Sequence, residues 1–198
     1  MAGGSEAYFL EAFRLDDRGD AYSSAKSGRR FAASHQTPGT SITGQTSFVA
    51  TTPTFLVSQS AGAKRVVLSS LNLSLVGTPP GGAVNVLVAL DRTNRYSAGG
   101  SSVTPQNLLA DPDDAADANA AGFAFRTNPT ATAAGVGANL PRYCWHWLIP
   151  RLVANPTPFS VGFEDGAVIG KTGSILIYTW AATTAPSWLF SFEFIEED

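Results

Sequence analysis

Between Ser187 and Ile195 every second residue is a large aromatic: Trp188, Phe190, Phe192 and Phe194 alternate with Leu189, Ser191, Glu193 and Ile195. Side chains on a β-strand point alternately to the two faces of its sheet, so this spacing places four rings on one side of one strand. A wall of that size must be covered by the chain's own interior, by a sugar or by another subunit. A second apolar run, Gly173–Trp180, precedes it across the small-residue, proline-marked turn Ala181–Pro186, and the two read as a closing hairpin.

The same period recurs upstream. Gln45–Ala50 and Thr54–Ser58 are short Thr/Val/Phe-rich runs broken by Pro53, which marks an edge or a bend. In Lys64–Val76 the alternation of Leu71, Leu73 and Leu75 changes phase at Ser69-Ser70, which predicts a bulge. The Thr78–Gly82 turn leads into Ala83–Leu90, where Val84, Val86, Val88 and Leu90 share a face, so these two runs are expected to form a hairpin. Gly122–Arg126, Arg142–Ile149 and Pro158–Phe163 complete the set, with Glu164-Asp165-Gly166 as a turn. About eight to ten short strands without a long helix predict an all-β fold, a β-sandwich or jelly roll.

The expected organisation is an arm over residues 1–34 and one sandwich domain over 35–198. Within the arm, Ser5–Leu15 carries Tyr8, Phe9, Ala12 and Phe13 at helix-compatible spacing, and Asp16–Arg30 is polar and ends in Arg29-Arg30. Asp91–Asn139, rich in Gly, Ser, Asn, Asp and Ala, is expected to be a long surface excursion between strands.

Composition narrows the partners. Charged residues make up 15% of the 198, well under the roughly 25% usual in soluble domains, and Ala, Gly, Ser and Thr take their place. A surface so poorly charged tends to be partly covered by a partner. Ten arginines against three lysines fit an interface-rich chain, since Arg loses less on desolvation. The net charge of −3 offers nothing to nucleic acid. A lone Cys144 excludes an intrachain disulfide and a cysteine-rich zinc site. The N-terminus lacks the basic start and apolar run of a signal peptide, and no stretch approaches the roughly 20 apolar residues of a membrane helix, so a soluble chain made in a cytoplasm is expected.

No catalytic constellation stands out. There is no G-x-S-x-G elbow, and the histidines are His35 and His146. Cys144 and His146 share a strand face, but two positions apart on a strand is roughly 7 Å, too far for a hydrogen bond, so structural roles are expected. Asp111, Asp113, Asp114 and Asp117 crowd carboxylates of the kind calcium prefers, without the EF-hand's glycine and terminal glutamate, so a solvated acidic loop is favoured over a metal site. Glu164, Asp165, Glu193, Glu196 and Glu197 sit at turns and the C-terminus, where solubility would place them. Gly81-Gly82 and Gly99-Gly100 lack phosphate-loop spacing, and the Arg18-Gly19-Asp20 tripeptide is too short to carry weight. Tyr143, Trp145 and Trp147 alternate on one face, and Trp180 and Trp188 flank the final turn. Such rings suit sugar stacking when exposed, but the core of the sandwich is their expected place, with one or two near a strand end left outside.

Four stretches carry a family resemblance: HQTPGTSITGQTSFVATTPTFLV (His35–Val57), KRVVLSSLNLSLVGTPPGGAVNVLVALD (Lys64–Asp91), TPQNLLAD (Thr104–Asp111) and GSILIYTWAATTAPSWLFSFEF (Gly173–Phe194). In general texture they resemble small virion structural proteins of tailed bacteriophages, the jelly-roll decoration, cement and head- or tail-associated proteins, over roughly Ser34–Ile195. The resemblance implies a non-enzymatic component of the virion without cofactors, a homo-oligomer with a trimer favoured, seated on the major capsid protein lattice. Tyr8, Phe9, Phe13, Arg29 and Arg30 of the arm, the Asp91–Asn139 excursion, and Leu189 and Ile195 on the far side of the aromatic wall are then the candidate interfaces. The alternatives are a receptor- or glycan-binding domain of a tail fibre or spike using exposed Trp or Tyr, and a hydrolase, for which no nucleophile–base pair stands in a supporting context.

Overall fold

The computed structural model describes residues 29–59, 64–110, 120–132, 142–150 and 158–197, excluding the side chains of 142, 143 and 164–166. Among them the chain is all-β. The strands are β1 (Arg30–Ser34), β2 (Ile42–Thr43), β3 (Phe55–Gln59), β4 (Arg65–Val76), β5 (Val84–Asp91), β6 (Tyr96–Ala98), β7 (Ser101–Val103), β8 (Gln106–Asn107), β9 (Phe123–Thr127), β10 (Thr130–Ala131), β11 (Arg142–Ile149), β12 (Phe159–Ile169), β13 (Ser174–Trp180) and β14 (Ser187–Glu197). One sheet runs β12-β4-β14-β1-β8, with β2 also on β14; the other runs β11-β5-β13-β3-β9-β7; β6 and β10 form a separate ribbon. The two large sheets share one apolar cluster and make a β-sandwich. The sheet begins at Arg30, inside the stretch assigned from sequence to the arm.

The aromatic wall lies where its spacing places it. Burial along β14 alternates without a break, with Trp188, Phe192 and Phe194 fully buried and Phe190 nearly so. Phe55 of β3 meets Phe190 and Phe192, each at 4.9 Å between ring centroids, and Phe125 of β9 meets Phe192 at 5.2 Å. Truncating a ring in such a setting to alanine costs roughly 3–5 kcal/mol. Trp188 brings a polar atom inside: its Nε1–H donates to Thr179 Oγ1 at 2.9 Å. The Thr179 amide in turn donates to Thr54 Oγ1 at 3.0 Å, and the two hydroxyls lie 2.9 Å apart. This buried chain of bonds ties β14 of one sheet to β13 of the other.

The pairing corrects two sequence expectations. β4 and β5 do not form a hairpin, and neither do β13 and β14; in each case the two strands lie in different sheets. The turns Gly77–Ala83 and Ala181–Pro186 carry the chain around the edge of the sandwich. What pairs instead is nested: β1 with β14, β3 with β13, β4 with β12 and β5 with β11, all antiparallel. Gln45–Ala50 also departs from its expected strand. It contributes only a parallel bridge from Gln45 to Trp180, and then crosses over the outside of β13.

The phase change at Ser69-Ser70 is a bulge, as the alternation predicts: Glu193 pairs Ser70, Phe194 pairs Leu68, and Ser69 is left over. Its hydroxyl donates to the Glu193 carbonyl. On the other side of β4 the register breaks between Gly162 and Ala167; Glu164-Asp165-Gly166, expected from the sequence to be a turn, lie within β12 at this break. The Asp91–Asn139 stretch holds more strand than the one expected at Gly122–Arg126. β9 is there, but so are β6, β7, β8 and β10, two or three residues each, held by neighbours rather than by their own alternation. Gly99 and Gly100 turn β6 into β7 with φ of 65° and 73°, a backbone that favours glycine at both positions.

That stretch starts from a fixed corner. The Asp91 carboxylate accepts from the Thr93 amide at 2.9 Å, the Thr93 hydroxyl at 2.8 Å and Arg95 Nε at 2.7 Å. Burial pushes its pKa up, but these bonds and the Arg95 charge outweigh burial and hold it below the usual carboxylate range. A depressed folded-state pKa stabilises the fold above the unfolded value of about 3.9, and the gain is lost as pH falls through the folded one. Asp91→Asn is therefore expected to be less stable than wild type at pH 7, with the difference closing below about pH 3.9 in denaturant unfolding run across pH. Thr179→Val, which strands the Trp188 indole N–H in the core, is expected to lower stability by roughly 1–3 kcal/mol in the same assay.

Candidate functional site

The two outer faces of the sandwich differ in chemistry. On the β14 sheet, Leu189, Ser191, Glu193 and Ile195 point outward and are half-buried by their neighbours. Ile195 stands in register with Arg30 of β1 and Val67 of β4, and Val67 in turn with Val168 of β12. Arg30, Ile195, Val67 and Val168 thus form a row straight across four strands, with Val168 43% exposed at its end. The row is rimmed by charge. Arg30 Nη2 donates to Glu193 Oε2 at 2.5 Å on one side, and Glu197 stands opposite Arg65 on the other. Further along, the face turns small and neutral with Ser191, Asn72 and Ser160, where the Ser160 hydroxyl donates to Asn72 Oδ1 at 2.5 Å. Leu189 lies beyond these, six positions from Ile195 or about 20 Å along the strand.

On the β13 sheet, half of the outer face is covered. Tyr96 and Ala131 of the β6–β10 ribbon pack on Leu56, Leu87, Ala89, Leu176 and Tyr178, and the Arg126 guanidinium lies 4.2 Å over the Tyr96 ring. The Tyr178 hydroxyl donates to the Ala50 carbonyl at 2.9 Å, tying down the segment that carries Phe48. The other half is left uncovered by the described residues. Phe48 meets Trp180 at 5.4 Å, and His146 of β11 stacks on Trp180 at 5.5 Å with ring planes 24° apart. His146 Nε2 is 3.0 Å from Asn85 Oδ1, and Asn85 stands in register between Trp180 and Leu148. Phe48 is 40% and Leu148 65% exposed.

Of the residues singled out in the sequence, Arg30 and Ile195 are brought together and Leu189 shares their face. Arg29 adjoins them, its carbonyl accepting from the Glu196 amide at 2.9 Å. Tyr8, Phe9 and Phe13, and the acidic group Asp111, Asp113, Asp114 and Asp117, lie outside the described residues, as does the Tyr143 side chain. Among the described residues no group of three or more His, Cys, Asp and Glu could hold a metal. No helix there is long and apolar enough to cross a membrane. Cys144 and His146 are both exposed, as expected for one strand face, and the His146 ring is engaged by Asn85 and Trp180. His35 accepts locally from the Thr37 amide through Nδ1. Trp145 and Trp147 turn inward onto Phe163 and Phe159, at 5.1 and 5.5 Å.

Glu196 corrects the expectation that the C-terminal acids sit in solvent. It is 2% exposed, continuing the inward phase of the wall. The Gly122 amide donates to its Oε1, and Lys64 Nζ lies 3.8 Å from its Oε2. Val67 and Val168 were missed because each is half of an apolar pair, Val66-Val67 and Val168-Ile169, whose other member is buried. The signal was the doubling itself: two adjacent apolar residues on a strand point to opposite faces of its sheet, so one of each pair lies on the outer face. No family model, curated protein or solved structure matches the chain.

Proposed function

We propose that the chain is a non-enzymatic structural protein of a tailed-bacteriophage particle, a jelly-roll subunit that self-associates and decorates or cements the capsid lattice. The nested pairing supports a jelly roll. The ladders β1–β14, β3–β13, β4–β12 and β5–β11 are those of one long hairpin rolled into two sheets, with its tip in the stretch between β5 and β11. The texture shared with phage decoration and head proteins supports the virion as its location and the major capsid protein as its partner.

The observation that carries the assembly reading is the row Ile195–Val67–Val168 on the outer face of the β14 sheet. An apolar centre rimmed by Arg30–Glu193 and Arg65–Glu197 has the anatomy of a protein–protein contact. The small neutral residues beside it let another surface approach closely. Burying this row against a neighbouring subunit, with three copies around a common axis favoured, adds stability by mass action and holds the subunit to its lattice.

Val168→Asp places a charge in the row at a residue already 43% exposed, so the fold is expected to survive. Light scattering is expected to show an oligomer for wild type and a smaller species for Val168→Asp, with wild type alone co-sedimenting with capsids that lack the protein. Leu189→Asp, on the same face, is likewise expected to impair assembly while leaving the monomer's circular dichroism unchanged. A wild-type chain that is monomeric and ignores such capsids would sink the proposal.

A further inference from the structure

We propose that the open half of the outer face of the β13 sheet is a binding site for a neutral carbohydrate, formed by Phe48, Trp180, His146, Asn85 and Leu148. A sugar ring offers a C–H face that stacks on aromatic surfaces and a rim of hydroxyls that both donate and accept. The face described above supplies both halves of that recognition. Phe48, Trp180 and His146 form a continuous band of rings running from the Phe48 segment across β13 to β11. Leu148, Asn85 and Trp180 stand in register on three neighbouring strands, a span of about 10 Å.

The polar half lies in the Asn85–His146 pair. With Asn85 Oδ1 accepting, His146 Nε2 carries the proton and Nδ1 keeps its lone pair. The Asn85 Nδ2 donors and the His146 Nδ1 acceptor have no partner among the described residues. Two N–H donors and one acceptor beside a stacking surface match adjacent sugar hydroxyls, which a purely apolar docking patch would have no use for. The charge of the patch narrows the class. The patch contains no Lys, Arg, Asp or Glu, and Arg126 is occupied over Tyr96 under the ribbon. A sialylated, sulfated or phosphorylated glycan would find no Lys or Arg in this set; a neutral hexose or N-acetylhexosamine chain needs none. The side chains already hold one another, so little rotamer freedom is lost on binding.

This site lies on the opposite sheet from the assembly row, and the two can fail separately. The test is to probe the full-length labelled chain against immobilised neutral oligosaccharides built on glucose, galactose, mannose and N-acetylglucosamine, with sialylated and sulfated glycans alongside. Any hit is then titrated in solution by tryptophan fluorescence. Binding to at least one neutral glycan is expected, weakened about tenfold or more by His146→Ala and by Asn85→Ala. Melting temperatures show that these variants fold; should Asn85→Ala fail, His146→Ala at an exposed position carries the comparison. No neutral hit, hits confined to anionic glycans, or binding untouched by His146→Ala would each overturn the site. So would a wild-type dimer that Leu148→Asp splits, which would assign this face to a second copy of the chain.

Discussion

The contact between the rings of β14 and those of β3 and β9 is the constraint around which the rest of the sandwich is arranged. β14 is central in its sheet, with β4 on one side and β1 on the other, so its inward face can be covered only by another sheet. Phe55 and Phe125 supply that cover, and Phe123 extends it to Phe194 at 4.9 Å. Rings packed at such tilted angles fix relative positions more sharply than aliphatic chains do, because their quadrupoles favour particular angles. The Trp188–Thr179 bond adds a directional restraint at one end of the wall, and the Glu196–Gly122 bond at the other. Between these two polar anchors the interface is apolar, so sliding one sheet over the other would leave a buried donor or carboxylate without its partner.

How much of this was legible in the sequence depends on what period two encodes. It states which face each residue occupies, and so the walls of β4, β5 and β14 and the break at Ser69 could all be read off. It is silent on which strand lies alongside. Thr78–Gly82 has the composition of a hairpin turn, yet it joins strands of different sheets; the same residues serve a corner as well as a reversal. The pairs that do form join strands far apart in the chain, β1 with β14 above all, and no local pattern announces them. The short strands β6, β7, β8 and β10 were illegible for a related reason: two or three residues cannot show a period, and they are strands only because a neighbour offers its edge.

Glu196 shows where chemical habit and geometry conflict. Its position continues Trp188, Phe190, Phe192 and Phe194 in phase, so period two places it inside, while a glutamate two residues from the C-terminus is ordinarily read as solvent-facing. Geometry prevailed, because an extended strand cannot turn one side chain outward without losing the pairing of Glu196 with Val66 and the Arg29 bond beside it. Burying the carboxylate has a cost, which the Gly122 amide and Lys64 offset. The same logic run in reverse explains Val67 and Val168: two adjacent apolar residues cannot both face the core.

The candidate sites follow from this separation of faces. The core consumes the strongest hydrophobes, so what remains outside is limited to side chains that the period forces there and to rings that find partial cover. On the β14 sheet the forced residues line up because bulged β4 keeps Val67 in register with both Ile195 and Val168 beyond the break at Ser69. Without that bulge the phase of β4 before Ser69 would invert, bringing Val67 inside and sending Val66 and Leu68 out. On the β13 sheet the ribbon and the Phe48 segment cover one half and stop short of β11, leaving His146 and Leu148 on a strand that, among the described residues, pairs with β5 alone. A single chain thus presents an aliphatic, charge-rimmed surface on one side and a neutral, aromatic one on the other. The first can bury area against a protein and the second can stack and hydrogen-bond, and neither has to be altered for the other to work.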